Sequence, residues 1–285
     1  MHSESVLLKN IELLGERYIQ EHVRSLDKDR LERDWWEALK FFFSRSFMRG
    51  RRDELSARYY EFTVEALKEY FAINETNKEE AYSRLVAQRE FYCIAKMLKK
   101  KSLKSYPEFS AIVESNPIIK ALTDKTKARK DSLALGNIGD IVMVLEVLAF
   151  ISEGEHKSNI YSYMIGKING EADTKTLFRE LLGMKYVGDK IAAFIIRDIL
   201  LLNPGLKLKD DEYEFAFPVD TWVNQIAEKL GCNRKTIEGT KKCLIQKASE
   251  NSLNVFKFAA GLWYLGFNSL EVLLNGYMDR HELAV

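Results

Sequence analysis

The chain has 285 residues, 46% of them hydrophobic and 30% charged, with 43 Lys and Arg set against 42 Asp and Glu for a net charge of +1. That length buries a sizeable core in one large domain or two smaller ones, and the balanced charge gives no global sign of a nucleic-acid binder. No apolar run reaches membrane-spanning length: residues 141–151 are interrupted by Glu146, and 191–202 by Arg197 and Asp198. The start, MHSESVLLKNIELLGE, lacks the basic-then-apolar pattern of a secretory leader, so a cytoplasmic protein is expected, nucleoid-associated in a prokaryote. Cys93, Cys232 and Cys243 are odd in number and far apart, and His2, His22, His156 and His281 are scattered. Neither set has metal-ligand spacing or suggests a disulfide framework, so no metal and no cofactor is expected.

Few prolines and many Leu, Lys and Glu favour helix, and the apolar spacing carries no convincing two-residue alternation, which predicts an all-α fold. Helices are expected near 6–24, 31–47, 54–73, 77–99, 109–122, 132–152, 157–167, 174–182, 189–203, 220–230, 233–249, 252–265 and 269–277. Thr76 with Glu79 and Asn268 with Glu271 have the spacing of capping boxes, and Gly231 and Gly266 stand where helices end. Three basic groups (Arg49, Arg51, Arg52; Lys99, Lys100, Lys101, Lys104; Lys125, Lys127, Arg129, Lys130) are each able to neutralise phosphates or simply to be solvated helix ends. The polar stretch 121–135 suggests a seam. It divides an N-terminal helical portion, 1–130, which can pack as one unit with the C-terminal helices, from a second portion, 131–285.

The informative segment is LFRELLGMKYVGDKIAAFIIRDILLL, followed across a long loop by AFPVDTWVNQIAEKLG. Its first part reads as two helices joined by a tight turn, a hairpin over about 174–203. Such a hairpin presents backbone amides at the positive end of its second helix, where a phosphate binds without sequence being read. Lys190 falls in the first turn of that helix, where the dipole disfavours a cation. Position alone leaves a phosphate contact, a surface lysine and a nucleophile all open, the last because dipole and partial desolvation both disfavour the ammonium form. The loop 204–220, with Pro204, Gly205 and the acidic run Asp210, Asp211 and Glu212, is longer than most connections and delivers Asp220 to a helix start as a good N-cap.

The pairing of YVGDKIA with PVDTWV resembles the helix-hairpin-helix DNA glycosylase superfamily, and KIAAFIIRDILLL with GLWYLG is more similar to its archaeal GO glycosylase branch. The likeness is clearest over about 174–270 and continues weakly into RSFMRGRRDELSARYYEF. It implies two helical subdomains with the active site between them, and a monomer acting on double-stranded DNA that contains a damaged base. The activity implied is a bifunctional DNA glycosylase and lyase for an oxidised purine, 8-oxoguanine first. Lys190 takes the position of the attacking lysine and Asp220 that of the catalytic aspartate. Gly183, Lys185, Val187 and Gly188 take the DNA-binding positions, while Phe194, Arg197, Pro218, Trp222 and Trp263 take those of the base pocket.

Two departures stand out. Many relatives have Gly where this chain has Tyr186, and His or Arg where it has Trp222, which favours stacking or packing over a phosphate contact there. The cysteines of the cluster-bearing branch are absent, and the branch's base-reading glutamine has no assignable counterpart near the N-terminus. Other readings of the same residues are a monofunctional glycosylase for an alkylated base, a non-catalytic hairpin DNA-binding protein, and a helical protein-interaction module.

Overall fold

In a computed structural model the chain is described over residues 2–49, 53–88, 90–100, 106–124, 134–170, 173–232 and 235–268, and the regular elements among them are all helical. In chain order they begin with α1 (His2–His22), α2 (Lys28–Arg33), α3 (Trp35–Ser46), α4 (Asp53–Tyr70) and α5 (Lys78–Ala87). Next come α6 (Phe91–Lys100), α7 (Tyr106–Ser115), α8 (Pro117–Thr123), α9 (Ile138–Ser152) and α10 (Ile160–Asn169). The last are α11 (Thr174–Gly183), α12 (Asp189–Leu202), α13 (Thr221–Lys229), α14 (Ile237–Glu250) and α15 (Val255–Phe267), with short 3-10 turns at Glu155–Lys157 and Asp210–Ala216. None of the described helices is long and apolar enough to cross a membrane.

Where the expected helices are divided, a local cause is visible. The helix expected over 31–47 breaks at Asp34, whose Oδ1 accepts from the amides of Trp36 at 3.0 Å and Glu37 at 3.3 Å and so starts α3. The helix expected over 109–122 breaks before Pro117, which opens α8 where its missing amide is not needed. The Thr76 capping box does not form. Asn77 precedes α5, and the Asn74 side chain instead accepts from the Thr76 amide at 2.9 Å. Gly231 has the expected left-handed φ of 70°, with its own amide bonded to Glu228 O and that of Cys232 to Ala227 O, a Schellman ending for α13. Gly266 lies inside α15 rather than after it. The helix expected over 269–277, and Glu271 with it, lies outside the described residues, as do Arg51, Arg52, Lys101, Lys104 and the cluster at 125–130.

Two compact units are present. One comprises Met1–Lys28, Glu171–Phe178 and Ala192–Val285, the other Asp29–Gly170 and Arg179–Ile191. α1 thus groups with the C-terminal helices, and α9 and α10 group with the helices that precede them.

In the first unit α1 lies along α15, which also carries α13 and α14. The two backbones touch. A Cβ at Gly261 would stand 1.8 Å from Ile11 O, and one at Gly15 would stand 2.0 Å from Lys257 O, so neither position has room for a side chain. The start of α15 is fixed to α1 by polar contacts. Asn254 caps it, its own amide donates to Glu12 at 2.6 Å, and Lys257 pairs with Glu16. Cys232, after α13, is bonded to Cys243 of α14, which corrects the expectation that the cysteines stay unpaired; Cys93 is free and exposed. Eleven residues of separation is a spacing from which the pairing is not legible until a Schellman turn has folded α13 back on α14.

In the second unit α9 is buried on most of its surface, with α5, α6 and the first 3-10 turn against it. Tyr82 on α5 donates to Ile151 O at 2.7 Å, and Asn159, the N-cap of α10, donates to Leu31 O at 2.9 Å. Trp35 and Trp36 are core residues here, and burial pushes the Tyr60 hydroxyl up to about 12.

Gly261→Ala is expected to destabilise the chain by about 2–3 kcal/mol, as overpacking at a closed site outweighs the helix propensity of alanine. Denaturant unfolding measures it, and an unchanged midpoint would contradict the close α1–α15 contact.

Candidate active site

The hairpin forms as the sequence suggests, and its turn belongs to the second unit. The Val187 amide donates to Met184 O at 3.1 Å across Lys185 and Tyr186, and Tyr186 has φ of 67°. Positive φ at the third residue is the type II pattern, which ordinarily takes glycine; a bulky residue there costs about 1 kcal/mol. The turn is held from outside by Arg49. Its Nη2 donates to Tyr186 O at 2.8 Å, its Nη1 pairs with Asp140 at 3.0 Å, and its guanidinium lies 5.6 Å from the centre of the Tyr186 ring. Asp140, in the first turn of α9, has no exposure, and the neighbouring Gly139 leaves room for the tyrosine ring, which a Cβ would meet at 2.9 Å. The first arm of the hairpin is fixed by Glu180, which accepts from Tyr163 at 2.7 Å and pairs with Lys167 at 3.1 Å. That contact raises the Lys167 ammonium above its ordinary value; burial, then Glu180, does the same for the Tyr163 hydroxyl.

Within this turn Gly183, Lys185 and Gly188 are exposed. Val187 differs from that set: its side chain is buried and its amide closes the turn, so it anchors the loop rather than facing outward. Gly188 immediately precedes α12, its φ is not left-handed, and open space surrounds its Cβ position. Nothing in the fold requires glycine there, whereas a closely approaching backbone would. Lys190, partly buried, is the second residue of α12.

The loop that carries Asp220 belongs to the first unit. Its acidic run is structural at one point. Glu212, 7% exposed, accepts from the Thr174 amide at 2.7 Å and the Lys209 amide at 3.0 Å, pinning the loop to the start of α11. Phe217, Pro218 and Val219 are then buried, so Pro218 is a core residue of the loop. Asp220 is the N-cap of α13, with Oδ1 accepting from the Val223 amide at 2.9 Å. Trp222, 51% exposed, rests its Cβ and Cγ over Gly266 of α15; an alanine at 266 would place its Cβ 2.5 Å from the tryptophan Cβ.

Arg197 lies at the centre of the first unit with no exposed surface. Its Nε and Nη2 donate to Asp198 Oδ1 at 3.0 and 2.8 Å, and the other carboxylate oxygen accepts from the Tyr18 hydroxyl at 2.7 Å. The guanidinium lies 4.5 Å from the ring centres of both Tyr18 and Phe194. Trp263 joins them, its ring 5.9 Å from Phe194 and 5.5 Å from Tyr18, and it stacks on Phe267 at 5.1 Å. The remaining nitrogen, Nη1, is buried and meets no hydrogen-bond acceptor. A buried donor is almost always satisfied, so this one calls for an explanation. Phe194, Arg197 and Trp263 are thus brought together as expected. Tyr18 and Asp198 were missed, and only the full helix-on-helix register of α1 and α15 reveals Tyr18. Gln20, two residues on, is exposed.

Among the described residues no group of His, Cys, Asp and Glu is placed to hold a metal ion. Comparison of the chain with protein-family models, with curated proteins and with solved structures finds no match.

Asp198→Ala is expected to cost about 3–5 kcal/mol, because it leaves the Arg197 charge buried without its partner. Asp198→Asn, whose carbonyl oxygen still accepts from Arg197 while its amide nitrogen donates to the Tyr18 hydroxyl oxygen, should cost less. An unfolding midpoint unchanged in Asp198→Asn, measured by chemical denaturation, would show that the charge pairing contributes nothing.

Proposed function

We propose that this chain is a bifunctional DNA glycosylase and lyase that removes an oxidised purine, 8-oxoguanine first, from double-stranded DNA. The observation that carries the reading is the Arg197 group: flat aromatic faces around a buried guanidinium with one nitrogen, Nη1, that meets no acceptor. Enzymes that act on a base inside a duplex first turn it out into a pocket, where stacking and edge hydrogen bonds read it. A neutral purine with a carbonyl oxygen supplies both a face and an acceptor. An alkylated purine, which presents added positive charge, fits an open cationic donor poorly, and this favours the oxidised base over the alkylated one.

The chemistry is assigned through Lys190 and Asp220, the pair that resembles the superfamily's catalytic residues. The Lys190 amine attacks the sugar C1′ as the bond to the base breaks, the base leaving with the electron pair and taking up a proton. The amine then loses a proton and the sugar ring opens at the C1′–O4′ bond to give a Schiff base. Removal of a C2′ proton and cleavage of the C3′–O bond nick the strand. Preorganised negative charge at Asp220 stabilises the positive charge that builds on the sugar. The exposed Gly183, Lys185 and Gly188 receive the DNA backbone, which is why glycine stands where the fold does not need it.

A panel of duplexes tests this, with 8-oxoguanine opposite cytosine, an alkylated purine, an abasic site and undamaged DNA. Wild-type protein is expected to release the oxidised base and nick that strand. Asp220→Asn keeps an equally good N-cap, so the midpoint of thermal unfolding should hold while base release falls about 100-fold or more. Base release without nicking, unchanged in Lys190→Gln, would instead indicate a monofunctional enzyme. Salt-sensitive binding with no release from any duplex would indicate a non-catalytic binder.

A further inference from the structure

The Tyr186 turn cannot hold itself. A tyrosine in left-handed backbone at the position a type II turn reserves for glycine reverts to ordinary φ unless other groups fix it. The groups that fix it come from far away in sequence. Arg49, 137 positions earlier, donates to the carbonyl of the strained residue itself and covers its ring. Asp140, fully buried, takes the other arm of the guanidinium, and Gly139 leaves the ring its seat. A planar fork is needed for this, since one side chain reaches a carbonyl, a carboxylate and a ring face at once.

Directly after the turn's last residue, Val187, come Gly188, Asp189 and then Lys190, so the turn sets where α12 starts and which way its first side chains leave the backbone. We infer that Arg49 is a positioning residue for Lys190: by holding the 184–187 turn with Tyr186 in left-handed backbone, it fixes the start of α12 and the origin of the lysine side chain. This rests on the reading of Lys190 as the attacking amine. It assigns to Arg49 a role distinct from phosphate contact, which its cluster with Arg51 and Arg52 would suggest. A placement error of an ångström at a reacting group is enough to slow a reaction by orders of magnitude.

The test is a rescue. Arg49→Ala and the milder Arg49→Lys are expected to slow single-turnover nicking of a saturating lesion duplex by about tenfold or more, with duplex affinity changed by less than about threefold. Adding Tyr186→Gly to either variant supplies a residue that adopts positive φ without strain, and the nicking rate should return to within about threefold of wild type. A role in neutralising Asp140, or in binding phosphate, is not rescued by glycine at 186. If Arg49→Ala unfolds, Arg49→Lys and the pair Arg49→Ala with Asp140→Asn carry the same comparison.

Amide hydrogen exchange reads the turn directly, whatever the activity. The Val187 amide should exchange faster in Arg49→Lys and regain protection with Tyr186→Gly. An unchanged nicking rate in the single variants, absence of rescue, or unaltered exchange at Val187 overturns the inference. If the wild-type protein neither nicks nor forms an adduct, the enzymatic reading fails, while the exchange result still decides whether Arg49 holds the turn.

Discussion

A charged pair without exposure to water governs the first unit. Arg197 and Asp198 are adjacent in sequence on α12, and removing both from solvent is costly unless every arm is met. Asp198 is met twice by its neighbour and once by Tyr18, while the flat faces of Tyr18 and Phe194 cover the guanidinium where water would have been. Those needs place α1 against α15 and α12, and the missing side chains of Gly15 and Gly261 let the backbones approach closely enough to do it. Nη1 of Arg197 is buried and meets no acceptor, as is the case for a few other buried polar atoms of this unit, Thr174 Oγ1 and Thr240 Oγ1 among them.

The second unit handles a different constraint, backbone strain, with the same kind of solution. Arg49 meets a buried carboxylate, a carbonyl and a ring at once, and so preserves a turn that the local sequence does not favour. Both cases use the rigid fork of arginine where lysine offers only a point charge. They also differ in consequence. Arg197 is buried to the last atom and organises the core of its unit, whereas Arg49 acts on a turn at the surface.

Much of this was legible in the residues. The helices follow from apolar spacing, the hairpin from Gly183 and Gly188 around a short turn, and the N-cap from Asp220 after Pro218. Phe194 and Arg197 share a helix with Lys190 at spacings that a reader can count. What escaped depends on tertiary register. Nothing in the sequence of α1 marks Tyr18, and only the packing of α1 turns it inward. The Cys232–Cys243 bond needs α13 to end in a Schellman turn before the two residues meet. Arg49 reads as one of three clustered cations, and nothing local says that its partners lie near residues 140 and 186. Glu212 reads as part of an acidic surface loop, yet it is a buried clamp on two backbone amides.

The chemical assignment of Lys190 is the claim on which the account turns, and covalent capture tests it most directly. Wild-type protein incubated with an 8-oxoguanine duplex and borohydride is predicted to form a reduced protein–DNA adduct, and peptide mass analysis is predicted to locate it on Lys190. An adduct carried by another lysine, or one formed undiminished in Lys190→Gln, would contradict it.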